Sequence, residues 1–106
     1  MDLAEGHICA LEKLQKNSKQ FLNVNLGTGK GVSVLELIST FEKVNKCRIP
    51  YEYVDKRAGD VAISIADNKK ALKLLNWNPQ RTIEDMCIDG WLWEQNINRC
   101  IKDSIN

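Results

Sequence analysis

At 106 residues with an ordinary apolar fraction, the chain has room for one modest core and no second domain. A net charge of +1, with lysines scattered rather than striped, gives no electrostatic footprint for nucleic acid. No apolar run approaches the roughly 20 residues that span a bilayer, and the start, Met1-Asp2-Leu3-Ala4-Glu5-Gly6-His7, is not a signal peptide, so a cytoplasmic location is expected.

Four cysteines, Cys9, Cys47, Cys87 and Cys100, lie far apart, and His7 is the sole histidine. A zinc site needs close-spaced ligand pairs, so no metal is expected, and the cysteines read as reduced, mostly buried small apolar residues.

The first predicted element is a helix over 3–16, with Asp2 as cap and Glu5 as the acidic partner of a capping box. Leu3, His7, Ala10, Leu11 and Leu14 recur at helical spacing and predict its packed face. His7 on that face, without an adjacent carboxylate or nucleophile, reads as structural. Asn17-Ser18-Lys19 reads as a loop. From Gln20 to Leu26, Leu22, Val24 and Leu26 alternate with Phe21, Asn23 and Asn25, a period of two that predicts a strand with one buried face.

Gly27-Thr28-Gly29-Lys30-Gly31 follows, then Ser33-Val34-Leu35-Glu36, a second capping box opening a helix that buries Val34, Leu37, Ile38, Phe41 and Val44. Pro50 marks the next boundary, and Tyr51 to Val54 predicts a second strand ending at Asp55. Strand, glycine turn, helix, strand and acid imitate a dinucleotide-binding unit. The spacing is wrong: 28 positions separate Gly27 from Asp55, where a Rossmann fingerprint has roughly 20. Its third glycine is displaced as well, with Val32 where close helix packing requires Gly, and Asn23 and Asn25 break the apolar run of a central parallel strand. A strand-to-helix turn is the reading, with no cofactor-binding residue in this chain.

Lys56-Arg57-Ala58-Gly59-Asp60 then brings a basic pair and a carboxylate around a turn glycine, ahead of a short strand over Val61 to Ala66. The Arg57 guanidinium is a planar fork of donors suited to a phosphate, and Asp60 is an acceptor for vicinal hydroxyls, so the pair fits a ligand with phosphate and sugar. The competing reading is a solvated turn whose charges pair weakly with each other. Asp67 predicts the cap of a helix carrying Ala71, Leu72, Leu74 and Leu75, closed by Asn76-Trp77-Asn78-Pro79, with Trp77 as a packing anchor. Thr82 and Asp85 form a third capping box for a last helix with Ile83, Met86, Cys87, Trp91, Trp93 and Ile97 on one face, and Ile88 and Leu92 on the other. Residues 98–106 show little pattern and predict a frayed tail after a lobe over 1–97.

Several of these stretches occur in the register of a known family. Asp2-Leu3-Ala4-Glu5-Gly6-His7, Asn25-Leu26-Gly27, Ser33-Val34-Leu35-Glu36-Leu37, Arg57-Ala58-Gly59-Asp60-Val61-Ala62, Leu75-Asn76-Trp77 and Glu84-Asp85-Met86-Cys87 together resemble the carboxy-terminal part of UDP-glucose 4-epimerases, of the extended short-chain dehydrogenase/reductase superfamily. The resemblance implies a mixed α/β lobe, an α+β arrangement of about four helices and three short strands that binds a UDP-sugar. It implies that Arg57 contacts the UDP diphosphate and Asp60 the ribose hydroxyls. Ser64 falls where family members vary between a bulky tyrosine and a small cysteine or serine, so it implies room for a 2-acetamido group beside UDP-hexoses.

The same resemblance shows what the sequence lacks. The family works with NAD on an amino-terminal Rossmann domain and with a Tyr-x-x-x-Lys pair, whereas Tyr51 and Tyr53 are followed at the fourth position by Asp55 and Arg57. No catalytic residue is therefore assigned, no activity is expected of the chain alone, and UDP-sugar binding by it alone should be weak. Two other readings compete: a non-catalytic module that self-associates through surplus apolar surface, and the same lobe of another nucleotide-sugar enzyme of the superfamily.

Overall fold

The computed structural model describes residues 1–16 and 21–105. The loop expected at 17–19, and Gln20 at the start of the first expected strand, lie outside them. The described residues contain four helices, α1 (Asp2–Lys16), α2 (Val34–Asn45), α3 (Lys69–Leu75) and α4 (Ile83–Ile105), and no strand. The mixed α/β class with three short strands is thus overturned. Segments 21–26, 51–54 and 61–66 do not join a ladder among the described residues. Alternation marks a segment as extended with one side to cover, but a strand exists only when a second edge takes up its N–H and C=O groups.

The chain folds as two units, each assembled from two stretches: Met1–Gly31 with Lys56–Arg81, and Val32–Asp55 with Thr82–Asn106. In the first, Ala71, Leu75 and Trp77 are buried, with Cys9, Ala10, Val24 and Leu26 packed around them. Trp77 is the packing anchor its sequence predicts, 5% exposed, and its indole N–H donates to the Asp2 carbonyl at 2.9 Å. Leu22, Val24 and Leu26 turn inward while Phe21, Asn23 and Asn25 are exposed, as the period of two requires.

Helix α1 packs differently from its periodicity. The buried and half-buried positions are Asp2, Glu5, Gly6, Cys9, Ala10 and Lys13, whereas Leu3, His7, Leu11 and Leu14 are exposed. His7 is therefore a surface residue with Nδ1 2.7 Å from the Leu3 carbonyl, not a packed one. The reason is steric: Gly6 lets the helix approach Leu26 and Trp77 closely, since a Cβ there would stand 2.7 Å from Leu26 Cδ1 and 3.2 Å from Trp77 Nε1. The small face seats against the core, and the greasy face looks outward.

The expected capping box of α1 is also replaced. Asp2 already lies in the helix, and its carboxylate takes the backbone N–H groups of Gln80 and Arg81 at 3.1 and 2.9 Å and the Arg81 Nη1 at 2.6 Å. Arg81 Nη2 reaches Glu5 at 2.9 Å, so both acids are committed to a residue far along the chain. Helix α3 starts from Asn68, which makes no side-chain cap, while Asp67 accepts from the Lys69 N–H at 3.0 Å. Asn76 ends it in the left-handed region, at φ 52°, its N–H bonded to the Ala71 carbonyl.

In the second unit α2 packs on α4. Ser33 and Glu36 form the predicted capping box, with both backbone bonds made at 3.0 and 3.1 Å. Thr82 and Asp85 do the same for α4, at 2.9 and 3.3 Å. Phe41 meets Trp91 edge to face at 5.7 Å, and Asn45 Nδ2 donates to the Cys87 carbonyl at 3.1 Å. Ile38, Phe41 and Val44 are half-buried, but Val34 and Leu37 are exposed, as are Met86, Trp93, Ile88 and Leu92 on α4. Helix α4 continues through residues 98–105, with Ser104 Oγ donating to the Cys100 carbonyl.

Candidate functional site

Residues 57–60 form a type II turn. The Asp60 N–H closes on the Arg57 carbonyl at 3.2 Å, and Gly59, at φ +86°, fills the position that side-chain-bearing residues avoid. No atom lies within 4 Å of where a Gly59 Cβ would stand, so the backbone conformation and not crowding calls for glycine.

The turn brings the two predicted ligands together. Asp60 Oδ2 accepts from the Arg57 N–H at 2.9 Å and from Arg57 Nε at 3.2 Å, and Oδ1 accepts from Nη2 at 3.3 Å. Three of the about four lone-pair sites of a carboxylate are thereby used, so a bidentate grip on vicinal hydroxyls requires the guanidinium to let go. Arg57 commits two of its five N–H donors, and its side chain is 85% exposed, leaving the others to the solvent side. The ion pair is open to water and screened, so an incoming anion displaces little to reach it.

Ser64 is exposed on the segment after the turn, as are Val61, Ala62, Ile63 and Ile65. That segment is held by the glycine loop of the same unit. A Cβ on Gly27 would stand 2.6 Å from Ala66 Cβ, one on Gly31 3.2 Å from Ile65 Cδ1, and Asn68 Nδ2 donates to the Gly27 carbonyl at 3.1 Å. Gly29 is left-handed at φ +72°, and Thr28 Oγ1 bonds both the N–H and the carbonyl of Lys30. The loop's glycines are thus explained by close approach to residues 65–68.

The Asp2, Glu5 and Arg81 cluster is the charged group that sequence reasoning missed. Backbone donation from Arg81, with its guanidinium adding to it, holds the Asp2 carboxyl below its ordinary 3.8, against the opposing effect of burial. Glu5 first and Asp2 second raise the Arg81 guanidinium above its ordinary value. With every member paired, the cluster acts as a clamp between α1 and residues 80–81. Elsewhere, burial first and Glu84 second push the Cys87 thiol up, making it a poor nucleophile, and the charge of Tyr53 beside it raises the Tyr51 phenol. All four cysteines are free, and no cluster of His, Cys, Asp or Glu among the described residues is arranged to hold a metal ion. No helix among them is long and apolar enough to cross a membrane.

No family profile matches the chain. Individual relatives do. The chain is 48% identical over 99 residues to UDP-glucose 4-epimerase of Bacillus subtilis (strain 168) and 47% identical over 100 residues to that of Drosophila melanogaster, each match covering 92% of this chain and 29% of the relative. The chain is homologous to UDP-glucose 4-epimerases. It spans less than a third of their length. The backbone agrees: the UDP-glucose 4-epimerase of Stenotrophomonas maltophila, crystallised with NAD and formylated UDP-arabinopyranose, superposes with a TM-score of 0.86 at 41% identity over 93% of this chain and 29% of that one. The epimerase of Bifidobacterium longum, in complex with NAD+ and UDP, gives 0.81 at 39% identity over 90% of this chain and 28% of its own.

Proposed function

We propose that this chain is the carboxy-terminal, substrate-binding part of an NAD-dependent UDP-hexose 4-epimerase. Homology at 48% identity over 92% of the chain carries the reading. In it Arg57 contacts the diphosphate of a UDP-sugar, and Asp60 first presents the guanidinium and then, as the phosphate takes over Arg57, accepts from the ribose hydroxyls. The hydride acceptor and the base that takes the C4 hydroxyl proton belong to polypeptide outside these residues, since the chain has no Tyr-x-x-x-Lys pair. NAD is accordingly a ligand of the longer enzyme, held by an amino-terminal Rossmann domain.

Ser64 gives the reading its substrate range. A hydroxymethyl group where relatives of this kind also use a phenol leaves space for a 2-acetamido substituent, so UDP-N-acetylhexosamines are substrates beside UDP-hexoses. The test is a graft in which these 106 residues replace the matching part of the Bacillus subtilis relative. The graft is expected to interconvert UDP-N-acetylglucosamine and its C4 epimer, and Ser64→Tyr to reduce that activity by about 100-fold, roughly 2.7 kcal/mol, while UDP-glucose turnover changes little. Activity confined to UDP-glucose in the unsubstituted graft would reject the proposal.

A further inference from the structure

The two oxygens of the Asp60 carboxylate are unequally occupied. Oδ2 takes two donors, the Arg57 backbone N–H and Nε, whereas Oδ1 takes one, Nη2. Each oxygen has about two acceptor sites, so Oδ2 is full and Oδ1 keeps one. While the guanidinium is seated, a single hydroxyl can bond Oδ1, and a vicinal pair cannot bridge both oxygens. Nε and Nη2 belong to one rigid plane and leave together. The backbone bond stays, because the turn that holds it, with the Asp60 N–H on the Arg57 carbonyl and Gly59 at φ +86°, does not depend on the side chain at 57.

We propose that this ion pair makes ribose recognition conditional on phosphate, so that Arg57 is a specificity-determining residue that disfavours uridine, the nucleoside without phosphates, at this turn. The inference rests on the reading above, in which Arg57 meets the diphosphate and Asp60 the ribose. Exposure sets the order of contact. The Arg57 side chain is 85% exposed and that of Asp60 36%, so an anion reaches the outward donors of the guanidinium before a hydroxyl reaches Oδ2. An oxyanion gives Arg57 one charged partner in exchange for another and releases Asp60 with little net loss. Uridine is neutral and offers the guanidinium no charged acceptor, so it has to open the pair unaided. The penalty it meets is the worth of one exposed ion pair, a factor of about three.

Arg57→Ala tests this, because it removes the two guanidinium bonds and keeps the turn, the backbone bond and the carboxylate. UDP is titrated calorimetrically into the graft and into its Arg57→Ala variant, and uridine and 2′,3′-dideoxyuridine are measured by displacement of UDP. The variant is expected to bind UDP roughly tenfold or more weakly and uridine about threefold more tightly. Dideoxyuridine, which has no hydroxyl pair to present, is expected to bind both proteins alike. Uridine bound no more tightly by the variant, with UDP weakened, would overturn the proposal and leave the turn in the UDP site. An equal gain for uridine and dideoxyuridine would overturn it as well, since the gain would not then pass through the hydroxyls on Asp60. UDP bound equally by both proteins would remove the reading of the site, and the conditional ribose recognition with it.

Discussion

Single residues in this protein are fixed by two different demands, backbone conformation and space. Gly59 answers to the first and Gly27 to the second. Ala66 Cβ, a rigid neighbour, would lie 2.6 Å from a Cβ on Gly27, so Gly27→Ala should cost ~1–3 kcal/mol as overpacking does. At Gly6 the nearest atom is Leu26 Cδ1, the end of a side chain that can turn, and the Trp77 ring at 3.2 Å must give by only a few tenths of an ångström, so with alanine's gain in helix propensity Gly6→Ala should cost less than Gly27→Ala. Urea unfolding of the two variants gives the order, and a larger loss at Gly6 would contradict it. At Arg57 and Asp60 the sequence names both groups and their nearness. It also raises the alternative that the two charges pair with each other, as they do, but not that three bonds within one turn largely fill the carboxylate, because these depend on rotamers that spacing does not set.

At the scale of elements, caps are legible because they are local. Ser33 with Glu36 and Thr82 with Asp85 need only three residues' separation to find one another, and both boxes form. Asp2 and Glu5 carry the same spacing and do something else, since Arg81 takes both carboxylates. Periodicity likewise finds the apolar stripe of α1 but cannot say that a smaller face, with Gly6 and Ala10, seats first. The clamp has a pH signature. The Asp2 carboxyl is held below its ordinary 3.8 by the Arg81 backbone N–H above all, so its contribution is complete above that value and is lost as pH falls through the lowered one. Arg81, raised and charged throughout, does not titrate in that range. Asp2→Asn should therefore lower the melting midpoint by several degrees at pH 7, with the gap to the unsubstituted chain closing as pH falls below 3.8. A gap independent of pH would contradict the clamp.

For the whole molecule, the strands show where local reading runs out. The alternation at 21–26 and 61–66 is real, and its inward and outward residues at 22–26 are sorted as it requires, yet no sheet follows among the described residues. A helix closes its hydrogen bonds within itself, whereas a strand borrows its partner from elsewhere in the polypeptide. The same holds for function: the turn at 57–60 supplies a cation and an acceptor, and neither can move a hydride. The most direct test is calorimetric titration of UDP into the graft, unsubstituted and with Arg57→Ala or Asp60→Ala. Each substitution is expected to weaken UDP binding at least tenfold, about 1.4 kcal/mol, with the affinity for NAD unchanged. UDP affinity equal in all three proteins would contradict the assignment of this turn to the nucleotide sugar.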